Sequence, residues 1–496
     1  MEGQVVRKVV IAGGGTAGWL AATALARQLG PLLEIVLVES DEIGTVGVGE
    51  STIPTSRTFH QLLGIDEREF VCATGSSFKL GISFEDWSRD GDRYFHAFGV
   101  TGTSTWMADF QHFWLEARVQ GLAGDFGDYC FELQAARAGR FYTGEGGTLS
   151  YAYHLDASLY ARFLRKLTEQ AGLERIEGKI RHVQQDSDTG FIRALDLESG
   201  QSVEGDLFID CTGFRGLLIE QTLQTGYEDW THWLSTDSAI AVQTEATGPA
   251  PPYTRAIAHR AGWRWQIPLR NRVGNGLVFA SEHLSDDEAQ AMLAESVEGT
   301  ILTEPRVIRF RAGRRRKAWN RNCIAFGLSS GFVEPLESTS IHLIMIGVTR
   351  LMQLFPFAGV NEALARRYND LSQRELEGIR DFIILHYHLN QRDDSAFWPR
   401  CREMEIPDSL AHRIALFREN AQAYQASDEL FRVDSWVQVM LGQRLEPQAC
   451  HQMGRLMSGE QLRGALDALK GNIAGAVARL PGHQQFLDSY CPAEKS

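Results

Sequence analysis

Apolar and polar positions alternate along this chain in two distinct rhythms. Residues 5–11 are apolar apart from Arg7 and Lys8, which predicts a strand. Gly13-Gly14-Gly15-Thr16-Ala17-Gly18 follows. Residues 19–29 then place apolar side chains at helical spacing, with much alanine. Residues 33–38 are apolar apart from Glu34 and end at Glu39, which predicts a second strand. Strand, glycine turn, helix and strand in this order make one βαβ unit. Further along, residues 157–173 have helical periodicity, and residues 176–197 read as short strands joined by turns. Residues 206–210 form another buried strand, ending at Cys211-Thr212-Gly213. Residues 230–281 alternate as strands do, broken by Gly248-Pro249-Ala250-Pro251-Pro252. Beyond Ile341 helical patterning dominates. Residues 90–147 are rich in Gly, Phe, Tyr and Trp and hold few long periodic segments.

The glycine turn carries candidate chemistry. Gly13-x-Gly15-x-x-Gly18 lies between strand and helix, where a dinucleotide fingerprint must lie. The first glycine allows the tight turn, the second lets backbone approach a pyrophosphate, and the third lets helix pack on strand. The amino end of the helix would face the phosphates, and Glu39 would accept from a ribose hydroxyl. Gly47-Val48-Gly49-Glu50-Ser51-Thr52-Ile53-Pro54 reads as a loop that passes close to a ligand. Gly262-Trp263-Arg264-Trp265-Gln266-Ile267-Pro268 would set Trp263, Trp265 and Ile267 on one face of a strand. On spacing alone, that face is equally a core strand.

Composition narrows the class. Hydrophobic residues make up 44% of 496, and charged residues 23%, as in globular chains. At about 150 residues per domain, the length suggests about three domains. The chain has 63 acidic and 49 basic residues, a net charge of −14. That sign disfavours non-specific binding to nucleic acid or anionic membranes. Seven cysteines without a Cys-x-x-Cys pair suit neither a disulfide framework nor a thiolate zinc site, so no metal is expected. The first residues lack a signal-type apolar region, and no run of 18 apolar residues occurs. A reduced cytoplasmic protein is expected.

Several segments together carry a resemblance. Asp206-Leu207-Phe208-Ile209-Asp210-Cys211-Thr212-Gly213 resembles an internal motif of flavin monooxygenases. The segment 322–335, with Gly327-Leu328, resembles their late glycine segment, although the family often has Gly-Asp there. Phe78-Lys79-Leu80-Gly81, Tyr94-Phe95-His96-Ala97-Phe98-Gly99, Trp-x-Trp-x-Ile-Pro at 263–268 and Pro335-Leu336-Glu337-Ser338-Thr339-Ser340-Ile341 complete the set. With the fingerprint, the chain resembles the flavin-dependent tryptophan halogenases over roughly its first 350 residues. The fold this implies is α/β: a Rossmann-like FAD-binding fold of the flavin monooxygenase type. It carries an inserted β-rich substrate region and a helical C-terminal region.

Residues 1–350 would form one interwoven FAD- and substrate-binding module. Its FAD motifs lie at 9–55, 206–216 and 322–341, and its substrate segments at about 90–150 and 217–305. Residues 351–496 would complete the substrate pocket.

The resemblance also implies chemistry. FADH2 and O2 would oxidise chloride or bromide to hypohalous acid, which then halogenates an electron-rich aromatic ring of indole type. Lys79 matches the family's active lysine, and an amine can hold hypohalous acid or form a haloamine. Glu337 matches the partner carboxylate, which polarises the oxidant or takes the ring proton. FAD would be held by Gly13, Gly15, Thr16, Ala17, Gly18, Glu39, Gly49, Glu50, Ser51, Asp210, Gly213, Gly327 and Leu328. Thr339 and Ser340 match the halide-binding positions. His96, Phe98, Ser338 and Trp436 would contact substrate, and Trp263, Trp265 and Ile267 would wall it from the flavin. The tyrosine pair with which tryptophan-specific members hold the amino acid is missing from 434–443. Free tryptophan, indole and a larger indole or phenol all remain candidates.

No second Gly-x-Gly-x-x-Gly follows, so a separate NAD(P)H-dependent flavin reductase would supply FADH2 by diffusion. The reading leaves room for a homodimer. The alternatives are an aromatic hydroxylase of the same fold and a non-catalytic flavin-binding protein.

Overall fold

Strands buried on both faces need continuous apolar runs, and such runs build the centre of the first of two compact units. The computed structural model describes residues 5–42 and 49–492. Gly47 and Val48 of the second glycine loop lie outside them. The first unit comprises residues 1–76, 155–234 and 310–377, and the second 77–154, 235–309 and 378–496.

In the first unit, a six-stranded sheet runs Trp319–Asn320, Cys323–Ala325, Leu207–Asp210, Lys8–Ala12, Glu34–Glu39, Glu174–Glu177. All neighbours are parallel except the first pair. Lys8–Ala12 sits centrally, with Ala12 opposite both Asp210 and Val38. Parallel neighbours need a crossover, and helix Thr16–Leu29 supplies it. Its buried side, Trp19 to Leu25, packs on helices Ala157–Gln170 and Ser340–Gln353. A three-stranded antiparallel sheet, Ile180–Gln185, Ile192–Leu197 and Ser202–Glu204, closes a core with Val10, Val36 and Phe208.

In the second unit, a seven-stranded sheet runs Arg306–Arg309, Ser238–Glu245, Arg272–Phe279, Gly262–Pro268, Thr254–His259, Gly81–Glu85, Arg93–Ala97. Thr254–His259 and Gly81–Glu85 are parallel, and the other pairs are antiparallel. Strand Gly262–Pro268 alternates as expected: Trp263, Trp265 and Ile267 are buried, while Arg264 and Gln266 are half-buried. Helices Phe397–Glu403, Asp408–Asn420, Val433–Gly442, Gly459–Arg479 and His483–Tyr490 make the C-terminal part helical.

Residues 90–147, which show few long periodic segments in the sequence, nonetheless contain helices Phe110–Val119 and Phe131–Arg137. In the first of these, residues 110–117 are buried all round, so no apolar stripe marks it. Among the described residues, Cys130, Cys211, Cys323, Cys401 and Cys450 are free thiols. Among the described residues, no helix is long and apolar enough to cross a membrane, and no cluster of metal-ligating side chains occurs.

Candidate active site

Several of the expected cofactor residues of the first unit converge on one turn. Gly13 has φ +105°, which L side chains rarely adopt, and a Cβ there would collide with the Cys211 carbonyl. Gly327 has φ +63°, and a Cβ there would lie 3.0 Å from that of Ala17. Segments around residues 13, 211 and 327 therefore touch. Helix Thr16–Leu29 begins without a side-chain cap and without an acidic residue in its first turn. Its first N–H groups and its dipole are thus available to an anion. Glu39 packs against Gly14 and pairs with Arg175 at 2.6 Å.

Asp210 does something more specific than the sequence suggests. One carboxylate oxygen accepts from the N–H and hydroxyl of Thr212 (2.9 and 2.7 Å). The other accepts from the N–H groups of Leu218 and Ile219, both at 2.8 Å. Asp210 shapes the turn that carries Gly213. Glu50, half-buried, has its carboxyl pushed up to about 7 by desolvation.

A second convergence lies in the same unit. Ser51 and Ser338 share a hydrogen bond of 2.5 Å. Ser338 is left-handed, with φ +60°, and turns the chain from Pro335–Glu337 into helix Ser340–Gln353. That helix also starts without a side-chain cap or early acid. Thr339 is buried, and its hydroxyl has no hydrogen-bond partner among the described residues. Free N–H groups beside an unengaged hydroxyl suit a small anion. Glu337 is buried in the preceding turn. One turn into the helix, His342 bonds Thr55 (2.9 Å) and Glu375 (2.9 Å), and Glu375 pairs with Arg350 at 2.7 Å.

The second unit holds the expected lysine and its aromatic neighbours. Lys79 ends strand Ser77–Lys79 and is fully buried. Its Nζ lies 5.2 Å from the centre of the Phe98 ring. The strand pairs antiparallel with Ala152–Asp156, and Lys79 faces Ala152. Ser77 donates to the Pro268 carbonyl at 2.5 Å and meets His154 Nδ1 at 3.0 Å. Burial, then the Lys79 charge, holds His154 well below the ordinary histidine range.

Aromatic rings gather beside this strand. His96 lies 6.5 Å from Phe98 and 5.5 Å from Phe382. Phe382 stacks on Phe431 at 3.8 Å and meets Trp436 edge-on at 4.9 Å. The Arg413 guanidinium covers Trp436 at 4.4 Å. Trp263 lies 6.4 Å from Trp87, inside a cluster that includes Trp398. Trp265 is buried, with no partner for its N–H among the described residues.

A family profile described as "Tryptophan halogenase" matches residues 8–459. The chain belongs to the tryptophan halogenase family. Tryptophan 7-halogenase RebH of Lentzea aerocolonigenes is 34% identical to this halogenase, over 98% of this chain and 99% of its own. Among solved structures, Xcc4156, a flavin-dependent halogenase from Xanthomonas campestris, is 53% identical. It superimposes with a TM-score of 0.98 over 99% of this chain and 100% of its own. BrvH, a flavin-dependent halogenase from Brevundimonas sp. BAL3, gives 45% identity and a TM-score of 0.94 over 98% and 99%.

The halogenase is therefore a flavin-dependent enzyme, and its glycine cradle fits FAD. A left-handed Gly13 gives the space, the uncapped helix start the N–H donors and the Glu39 carboxylate the acceptor that a dinucleotide needs. His154, Phe382, Phe431 and Arg413 lie against the candidate residues of the second unit or their strand, and nothing in the sequence singled them out. His154 sits in the buried strand Ala152–Asp156, and Phe382 within the long helix Glu362–His388. Neither position carries a local signal beyond core patterning.

Proposed function

We propose that this halogenase joins chloride or bromide to the ring of an indole-type substrate, through hypohalous acid formed at FAD. FAD would be held by the turn at Gly13, Gly15, Thr16, Ala17 and Gly18, by Glu39, Gly49, Glu50 and Ser51, and by the Gly213 and Gly327-Leu328 turns. When bound and reduced, it supplies the two electrons with which O2 becomes the oxidant of halide. Thr339 and Ser340 hold the halide through backbone N–H groups at the helix start. Lys79 holds the resulting electrophile by hydrogen bonding or as a haloamine. His96, Phe98 and Trp436 keep the ring flat, and Ser338 borders it. Trp263, Trp265 and Ile267 screen it from the flavin. Glu337 takes the proton that leaves the ring carbon as the carbon–halogen bond forms.

The observation that carries this reading is the complete burial of Lys79 against Phe98. Most lysines are solvated, and a lysine fully enclosed beside aromatic rings is placed for chemistry. Side chains already engaged in the second unit support the choice of substrate within that class. Asp434 accepts from the Thr101 N–H at 2.8 Å, and Gln438 from the Ala97 N–H at 2.7 Å. Arg432 donates to the Phe98 carbonyl at 2.8 Å, and Arg413 pairs with Glu429. These groups serve the protein rather than an amino-acid zwitterion, which favours indole or an indole within a larger molecule over free tryptophan.

A separate NAD(P)H-dependent reductase completes the system. The test combines the protein with FAD, such a reductase, NADH, O2 and bromide. A panel of indole, tryptophan and phenols is then analysed by mass spectrometry. Brominated indole is the expected product. Hydroxylated products without halogen would overturn the reading.

A further inference from the structure

Strand Ser77–Lys79 is three residues long and pairs with Ala152–Asp156. So short a strand holds its register weakly unless other contacts fix it. The N–H of Phe78 turns away from that pairing and donates to Nε2 of His483, at 3.2 Å. The Nδ1 of His483 meets the carbonyl of Ala250 at 2.7 Å. A carbonyl only accepts, so Nδ1 carries the proton and Nε2 offers a lone pair. His483 is buried, and desolvation pushes it down to about 4, so it stays neutral. The imidazole is thus fixed in the one tautomer that can accept from Phe78.

The rest of its helix is built around the same residue. The Phe78 ring stacks on Phe141 at 4.2 Å and meets Phe486 at 5.6 Å and Tyr490 at 5.7 Å. The helix start is pinned in turn, because the His483 N–H donates to Gly139 at 2.8 Å. We propose that His483 is a positioning residue for Lys79: its neutral imidazole holds the Phe78 N–H, and so fixes the strand that aims the lysine. Lys79 follows Phe78 directly, and a slip of the strand is carried along its four-carbon stem. Misplacement by about 1 Å can cost about a hundredfold in rate. This proposal rests on the role assigned to Lys79 above.

The test uses length-matched variants in the complete system with FAD, reductase, NADH, O2, bromide and indole. Gln reaches the position of Nε2 with an acceptor, whereas Asn reaches only that of Nδ1. His483→Gln should keep kcat within about threefold, while His483→Asn should lose about ten- to a hundredfold in kcat with an unchanged KM for indole. Hypohalous acid escaping to added monochlorodimedone should rise in His483→Asn, as in Lys79→Ala. Should the Asn variant fail to fold, His483→Met, which matches Gln in length without an acceptor, takes its place. Wild-type kcat in the Asn or Met variant overturns the proposal. So does an equal loss in the Gln variant, which would mark a structural role alone. If Lys79→Ala is inactive while His483→Asn is normal, this inference fails and the function stands. If Lys79→Ala halogenates normally, both fall.

Discussion

Lys79 has no exposed surface, and the other two residues of its strand are tied down, Ser77 by His154 and the Pro268 carbonyl and Phe78 by His483. Its chemistry needs a nitrogen, and its position needs a stem of that length. Lys79→Ala should therefore lower halogenated product at saturating indole by at least about a hundredfold. Lys79→Arg should not restore it, because a guanidinium neither deprotonates nor forms a haloamine readily. Product per unit time by mass spectrometry is the measurement. Glu375 makes a different prediction. It joins His342 and Arg350 in a buried network, and these partners hold its carboxyl below the usual range despite the burial that opposes them. Glu375→Ala leaves Arg350 without its counter-charge and should cost about 3–5 kcal/mol, read as a fall in Tm. At this scale, the glycine turn was legible because it meets a local conformational requirement, whereas Lys79 was marked only by its resemblance to a family motif. His483 was not, because a histidine after Pro481-Gly482 carries no mark of the backbone group it will meet.

Elements were legible where one periodicity ruled. Lys8–Ala12, Thr16–Leu29 and Glu34–Glu39 lie where apolar runs predict them, within a few residues at their ends. Helix Phe110–Val119 was hidden because burial on all sides erases the stripe. The start of helix Ser340–Gln353 yields a prediction of its own. With neither cap nor acid there, its N–H groups remain free for a halide. Ser340→Asp would satisfy them with a carboxylate and oppose an anion. The bromide KM should rise more than tenfold, while Tm holds or rises by the equivalent of about 0.3–1 kcal/mol. A lower Tm with an unchanged bromide KM would contradict the halide assignment. Steady-state bromide titration and thermal melts read both quantities.

The whole molecule stores a pH dependence in its buried imidazoles. Desolvation lowers His60 to about 3, His259 and His483 to about 4, and His154 well below its ordinary value. Unfolded, each titrates near 6.5. Below that pH the unfolded chain binds protons that the native chain refuses, so stability falls as pH falls. Each such histidine adds a slope of about 1.4 kcal/mol per pH unit until its folded pKa is reached. Glu375, held low, is lost in the same direction. Glu50, raised to about 7, acts oppositely, and its destabilisation grows as pH rises from 4.5 to 7. Glu132 and Asp434 are raised as well, but with His112 and His388 also held low, six imidazoles outweigh three carboxyls, so melts from pH 7 to 4.5 should show Tm falling steadily. A flat profile would mean that these histidines are solvated.

Local rules account for much of the candidate site. A glycine turn between strand and helix, an acid at the next strand end and a Trp-x-Trp face follow from steric limits and side-chain alternation, which neighbouring residues decide among themselves. Convergence is another matter. Gly13 touches Cys211, and Gly327 touches Ala17, only because parallel strands far apart in the chain align at Ala12 and Asp210. Asp210 turned out to organise its own turn, and the Phe78 N–H found its acceptor 405 residues away. A buried donor must be satisfied by whatever acceptor packing brings near, and that partner is chosen by the fold rather than by neighbours in the chain.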